Sequence, residues 1–198
     1  MMRIARFSIV ALGALALSAC LGGGKKVPPT LLTLTSSAAA PESVNRSAAP
    51  GDTITIDVPV IPKELSTTRV PAQVGPTAVA YIENLQWVES PDRLFQDLVQ
   101  ETVVRTTNRV VLDPRQSGFD PGMRLTGTLS RFGYDAQEGV VIVRYDAALN
   151  VPGGGQVQTR RFEARESADG TAGTVGYALN NAANRVAAEV AQWVGAGR

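Results

Sequence analysis

Hydrophobic and polar residues alternate along several stretches of the chain, and a period of two predicts β-strands. In residues 53–58, the apolar residues Ile54, Ile56 and Val58 fall on one face. The longest alternation covers residues 140–150. Its apolar face carries Val141, Val143, Tyr145, Ala147 and Leu149. The opposite face mixes apolar and charged residues, so we expect it to be partly buried.

Shorter segments that are rich in β-branched and aromatic residues predict the rest of a sheet. These strands are expected at residues 69–71, 77–81, 84–88, 109–112, 123–129 and 156–166. Gly127 interrupts the apolar row of the segment 123–129 and is a candidate β-bulge. The glycines at 153–155 predict a hairpin turn rather than a ligand-binding loop.

Two segments change to the helical period. Ser90, Pro91 and Asp92 suit a helix start, and residues 91–107 then place apolar side chains on one broad face. A second helix is predicted at residues 174–194. Its apolar stripe is formed by Leu179, Ala183, Val186, Val190 and Val194. Its polar side carries Asn180, Asn181, Asn184, Arg185 and Glu189, which we expect to face solvent.

These elements predict an α+β fold in which two amphipathic helices cover one face of a largely antiparallel sheet of about six to eight strands. The sequence further predicts a signal peptide at residues 1–19 and a flexible tether at residues 20–50, ahead of a folded domain at residues 51–198. Residues 21–50 are rich in Gly, Ala, Ser and Pro and supply little apolar surface for a core. Within the tether, residues 31–34 are the exception and are expected to pair with the domain as a short strand.

The N-terminus has the three parts of a bacterial lipoprotein signal. Arg3 and Arg6 are followed by an apolar run of about 11 residues, too short as a helix to cross a hydrocarbon core of about 30 Å. The run ends in Leu17, Ser18, Ala19 and Cys20, which resemble a lipobox. Cys20 is the only cysteine, and its thiol is a nucleophile that can be alkylated. The resemblance implies a diacylglycerol and an N-acyl chain on Cys20, and Leu21 in place of Asp favours sorting to the outer membrane.

Composition narrows the functional classes. With 19 basic and 18 acidic residues, the chain gives no reason to expect a nucleic acid as partner. It contains no histidine, which excludes Ser-His and Cys-His nucleophile pairs and histidine metal ligands. Lys63 and Ser66 stand in the reverse of the Ser-x-x-Lys order, and Glu163 and Glu166 are expected to point to opposite faces of a strand. We therefore predict a protein that is not an enzyme and that needs no metal or cofactor.

The order of several features resembles the ABC-type transport auxiliary lipoproteins of the PqiC-like family. These features are the lipobox, Ile-x-Val-Pro-x-x-Pro-x-x-Leu at residues 56–65, Arg69-Val70, and Tyr81 with Trp87 ahead of an amphipathic helix. The resemblance implies a lipoprotein on the periplasmic face of the outer membrane. It also implies an auxiliary role with an MCE-domain protein of a transporter that moves phospholipids or other hydrophobic molecules. Homo-oligomers are a further implication of the resemblance.

Two other interpretations stay open. The domain could itself carry an acyl chain between its sheet and its helices, or it could be a structural or assembly lipoprotein of the outer membrane without a transport role. Tyr81 and Trp87 are candidates for a partner interface, because aromatic residues often dominate binding, although ordinary packing in or beside the sheet is the simpler and favoured interpretation of both.

Overall fold

Two helices lie on one face of a seven-stranded mixed sheet, which confirms the predicted α+β class. The structure is a computed structural model that describes residues 30–41, 45–49, 52–115, 122–151 and 157–196. The strands are β1 (Thr53–Ile56), β2 (Arg69–Gly75), β3 (Ala78–Gln86), β4 (Val110–Leu112), β5 (Met123–Asp135), β6 (Val140–Asn150) and β7 (Val157–Ser167). The helices are α1 (Pro91–Thr106) and α2 (Ala172–Ala196), and a 3-10 turn occupies Lys63–Leu65.

Strand β5 organises the sheet. One of its edges pairs antiparallel with β6 over the full length of β6, and β6 pairs in the same way with β7. The other edge pairs in parallel with β1 near the start of β5 and with β2 near its end. β4 lies in parallel beside β1, and β3 lies antiparallel beside β2. The long ladders are therefore antiparallel, as predicted, while the parallel ladders are short.

Two local predictions were wrong. Residues 77–81 and 84–88 do not form separate strands, because β3 runs through the expected turn. The irregular pairing of β3 with β2 is accompanied by a backbone φ of 57° at Asn84. This is a left-handed conformation that asparagine adopts more readily than most residues. The bulge expected at Gly127 lies instead between Leu129 and Arg131. Gly127 pairs regularly and is needed because a Cβ there would lie 2.7 Å from the ring of Tyr145.

The core lies between the sheet and the helices. Phe95 of α1 packs edge-on against Tyr145 of β6, with ring centroids 5.2 Å apart, and also contacts Phe132 of β5 at 6.5 Å. The predicted apolar face of β6 and the predicted stripe of α2 are both buried. Trp193 packs on Phe162 at 5.5 Å, so it closes one end of this core.

Helix α1 begins where the sequence predicts, although no side chain caps its N-terminus. Ser90 is at the N-cap position and Pro91 begins the helix, as the sequence predicts. The Ser90 side chain, however, makes no capping hydrogen bond. Pro91 has no N–H to satisfy, so part of the usual need for a cap is absent at this end.

Candidate functional site

The residues that carry the strongest functional prediction lie just upstream of the described chain. Cys20 and the lipobox residues Leu17, Ser18 and Ala19 are outside the described residues. Thr30, ten residues after Cys20, is the first of the described residues. The segment that follows Thr30 is therefore the part of the domain that is closest along the chain to the predicted lipid anchor.

Residues 31–38 form an extended segment on the domain, which we call the strap. Its even-numbered residues are half-buried and its odd-numbered residues are exposed. Leu32 and Leu34 pack against the core. Leu32 pairs in parallel with Trp87: the Leu32 N–H donates to the Gln86 carbonyl at 2.7 Å, and the Val88 N–H donates to the Leu32 carbonyl at 2.8 Å. The prediction that residues 31–34 pair with the domain is confirmed as this one bridge.

Asn184 of α2 holds the middle of the strap by its backbone. Its Oδ1 accepts from the Ser37 N–H at 2.7 Å, and its Nδ2 donates to the Thr35 carbonyl at 2.9 Å. Asn180 accepts from the Thr35 N–H at 3.0 Å. A side-chain amide offers both a donor and an acceptor, so it can satisfy an extended backbone as a neighbouring strand would. The expectation that Asn184 faces solvent was wrong, because the strap covers it and leaves it buried.

Two arginines hold the last residue of the strap and the chain that follows it. Arg105 of α1 donates to the Ala38 carbonyl at 2.6 Å. Arg46 donates to the carbonyl oxygens of Thr107 and Arg109, at 2.5 and 3.2 Å. Thr107 is the C-cap of α1, where the helix dipole favours a cation.

These contacts correct the predicted tether at residues 20–50. From Leu32 onward, the described part of that segment is bound to the domain rather than free of it. For these described residues, composition alone gave the wrong expectation, whereas residues 20–29 lie outside the described residues and the tether there stays a prediction. Two leucines at alternate positions give the strap its apolar contacts, and side chains from both helices satisfy its backbone.

We expect Asn184→Ala to loosen the strap while the helix remains folded. The substitution removes hydrogen bonds to both Thr35 and Ser37, and we expect a loss of about 1–2 kcal/mol in the free energy of unfolding. Urea unfolding measures this loss, and amide hydrogen exchange should show faster exchange at Ser37.

Asn181→Ala is the matched control, because Asn181 is a neighbouring, partly exposed asparagine on the same helix. Its stability should change by less than about 0.5 kcal/mol. Unchanged exchange at Ser37 in Asn184→Ala would contradict the role assigned to Asn184.

The two aromatic residues predicted at an interface occupy different environments. Trp87 is 2% exposed, and its ring lies 5.4 Å from that of Phe132. It is a core residue, which agrees with the simpler of its two interpretations and leaves no surface for a partner. Tyr81 is half-buried on the edge strand β3, where the Arg69 guanidinium stacks 4.0 Å from its ring centroid and its hydroxyl donates to the Glu64 carbonyl at 3.3 Å. Only Tyr81 keeps a surface that a partner can reach.

A groove of about 740 Å³ lies where the C-terminal ends of the two helices meet residues 47–49. The carboxylate of Asp52 lies 3.8 Å from the Arg109 guanidinium at this groove. Its lining also includes Asn108, Gln192 and several alanines. This size suits a small ligand, but acyl chains prefer a mostly apolar lining. The space between sheet and helices, where an acyl chain was considered, is instead filled by the rings of the core.

The face of the sheet that points away from the helices carries a ladder of ion pairs. Glu163 of β7 accepts from Arg165 at 2.8 Å and from Arg144 of β6 at 2.5 Å. These hydrogen bonds from Arg165 and Arg144 lower the pKa of Glu163. Glu166 instead pairs with Arg185 of α2, at 2.6 Å. The expectation that Glu163 and Glu166 face opposite sides of a strand is thereby confirmed.

Asp146 forms the second centre of this ladder. Burial by itself would raise the pKa of Asp146, but hydrogen bonds from Arg161 at 2.5 Å and from Ser130 at 2.8 Å outweigh burial and lower it. Both carboxylates therefore stay charged at neutral pH. Together with Glu138, which pairs with Arg165, they match the three arginines Arg144, Arg161 and Arg165, so the ladder has no excess of either sign.

The described residues contain no group of three or more His, Cys, Asp or Glu side chains that could hold a metal ion. Lys63 and Ser66 do not form a reactive pair, because the Ser66 hydroxyl donates to the backbone carbonyl of Lys63 at 2.7 Å. In the described part of the chain, neither helix combines the length and the apolarity that a membrane crossing requires.

Comparison with known families identifies the chain. Residues 32–191 match the family described as the ABC-type transport auxiliary lipoprotein component. The chain belongs to this family. The matched region begins at Leu32, so it includes the strap from its first half-buried residue onward. Membership supports a role as a non-catalytic auxiliary component of transport.

Two crystal structures share the fold of this auxiliary lipoprotein. Protein XCC0632 from Xanthomonas campestris, described as a DUF330 member, superposes with a TM-score of 0.64 at 14% identity, over 85% of this chain and 92% of its own. An uncharacterized protein superposes with a TM-score of 0.61 at 15% identity, over 74% of this chain and 94% of its own. No curated protein sequence matches the chain.

The ion-pair ladder predicts how the stability of this auxiliary lipoprotein depends on pH. A carboxylate whose pKa is lowered in the folded state stabilises that state above its unfolded pKa, and this stability is lost as the pH falls through the folded value. We therefore expect the free energy of unfolding to decrease below about pH 4 as Glu163 and Asp146 take up protons.

Glu163→Gln tests this assignment, because glutamine keeps the shape of the side chain and removes its titration. Urea unfolding between about pH 6 and about pH 3 should show a smaller loss of stability for the variant than for the wild type. Parallel curves for the two proteins would show that Glu163 does not contribute to the pH dependence.

Proposed function

We propose that the protein is a lipoprotein anchored through Cys20 to the periplasmic face of the outer membrane. There it serves as a non-catalytic component that couples the membrane to an MCE-type ABC transporter of phospholipids or other hydrophobic molecules. The observation that carries the proposal is the family match over residues 32–191, which begins 12 positions after Cys20, the last residue of the lipobox. Leu21 after the acylated cysteine supports the outer membrane as the destination.

The way in which the chain enters the domain supports an anchoring role. The strap is hydrogen-bonded to both helices and beside the end of β3. The chain that comes from Cys20 is therefore attached to the core at several points. The absence of histidine from the sequence supports a role in binding and positioning rather than in catalysis.

Crosslinking in intact cells tests the partner. A C-terminally tagged protein is crosslinked, the envelope is solubilised, and the captured proteins are identified by mass spectrometry. We expect an MCE-domain protein among them, and we expect crosslinks to place it near Tyr81 or along the exposed residues of β3. Capture of the protein alone, or of an outer-membrane assembly factor, would contradict the transport role and favour a structural one.

The alternative function as a lipid carrier predicts a different experimental result. A carrier should retain a stoichiometric amount of lipid after delipidating washes, whereas a coupling component should not. Since the interface between sheet and helices is packed with aromatic rings, the groove beside Arg109 is the candidate lipid site that the described residues offer. Its polar lining favours the coupling role.

Self-association of the domain stays a prediction, and sedimentation of the detergent-solubilised lipoprotein tests it.

A further inference from the structure

We infer that the domain rests on the phospholipid surface through the edge at which the strap begins. This membrane-facing edge is defined by the exposed side chains of Leu31, Val88 and Tyr177. The inference rests on the proposed lipid anchor at Cys20 and adds an orientation to it. The partner of this edge is the phospholipid surface itself.

Three large exposed side chains surround the point where the chain leaves the domain toward Cys20. Leu31 is 43% exposed, Val88 is 52% exposed and Tyr177 is 72% exposed. The Val88 N–H is bonded to the Leu32 carbonyl, and the methyl groups of Leu32 lie against Gly176, the residue before Tyr177. Single apolar residues on a surface need no explanation, but these three share one end of the molecule.

The length of the connecting chain selects this end over the others. Thr30 follows Cys20 by ten residues, which can span at most about 35 Å and span about 17 Å on average if flexible. A domain of this size has a radius of gyration of about 15 Å. The start of the strap is therefore held close to the membrane, and the far edge of the sheet can approach it only if the domain turns over on a nearly fully extended chain.

The chemistry around the exit point suits a shallow contact with headgroups. Tyrosine combines an apolar ring with a polar hydroxyl and favours the membrane–water interface. In the sequence, Lys25 and Lys26 are within six residues of Cys20, and basic side chains so close to a lipid anchor attract anionic lipids. Glu89 and Arg93, exposed next to Val88, carry opposite charges and do not oppose the contact.

Site-directed spin labelling tests the orientation. Because Cys20 is the only native cysteine and its thiol is acylated in the mature lipoprotein, an introduced cysteine can be labelled selectively. Val88→Cys and Tyr177→Cys probe the membrane-facing edge. Val157→Cys is the matched control: Val157 is 63% exposed and begins β7, at the opposite edge of the sheet from β3.

The full-length lipidated variants are labelled with a nitroxide and reconstituted into vesicles of phosphatidylethanolamine and phosphatidylglycerol. The readout is the collision of the label with oxygen, which partitions into the bilayer, relative to collision with a water-soluble nickel complex. We expect this ratio to be severalfold higher at positions 88 and 177 than at position 157, and to fall to the control value in detergent-free protein that lacks the anchor.

Equal ratios at the three positions in a protein that floats with the vesicles would overturn the orientation and leave the anchor intact. A higher ratio at position 157 would show that the opposite edge faces the membrane. A full-length protein that does not float with the vesicles would overturn the anchor, and this inference with it.

Discussion

A Cys20→Ser variant is expected to lose the incorporation of radioactive palmitate and to move from the membrane fraction to the soluble fraction. Each buried CH₂ of an acyl chain contributes about 0.8 kcal/mol to membrane binding, and two or more chains give a stable anchor. Serine keeps the size of the side chain but lacks the thiol that is alkylated. We expect at least a roughly tenfold fall in the membrane-bound fraction, measured by flotation and immunoblotting.

Ser18→Ala serves as the control for the lipobox. It keeps a small residue ahead of the cleavage site, so this variant should stay lipidated and membrane-bound. A Cys20→Ser protein that still incorporated palmitate would contradict the anchor at Cys20, and with it the first element of the proposed function.

The largest loss of stability is expected for Phe95→Ala. Phe95 is fully buried and contacts the rings of Tyr145 and Phe132, so its removal leaves a cavity between α1 and the sheet. Truncations of this kind cost about 3–5 kcal/mol. Urea unfolding monitored by tryptophan fluorescence should report the loss, because Trp87 lies on the same ring cluster.

Tyr177→Ala is a suitable control, since it also truncates an aromatic residue to alanine but at an exposed position. Its free energy of unfolding should change by less than about 0.5 kcal/mol. A loss below about 1 kcal/mol for Phe95→Ala would mean that the helix does not pack on the sheet through this ring.

The parts of the fold that depend on neighbours along the chain were predictable from the sequence. The alternation in β6 and the helical stripe of α2 gave the correct faces, and β5, β6 and β7 pair antiparallel in their order along the chain. The hairpin turn predicted at residues 153–155 lies outside the described residues. The parallel ladders were not predictable in the same way. They join β1 and β2 to a strand that comes much later in the chain, and no local period encodes such a pairing.

In the candidate site, too, local features were predictable from the sequence and long-range contacts were not. The lipobox is a short motif whose chemistry can be read from four adjacent residues, so Cys20 could be named at once. The role of Asn184 could not, because its partners Thr35 and Ser37 lie in a segment of low-complexity composition. Alternate leucines at positions 32 and 34 were the one local signal that this segment is held on the domain.

The contacts of the strap also constrain the order in which the molecule is completed. Thr35 and Asn180 are 145 positions apart, and Ser37 and Asn184 are 147 apart. A chain that is synthesised from its N-terminus makes the lipid-bearing end first and the helix that holds the strap last. The middle of the strap therefore lacks its partners Asn180 and Asn184 until nearly the entire polypeptide has been made, so a newly made molecule holds its lipid-bearing end to the domain through fewer contacts than a finished one.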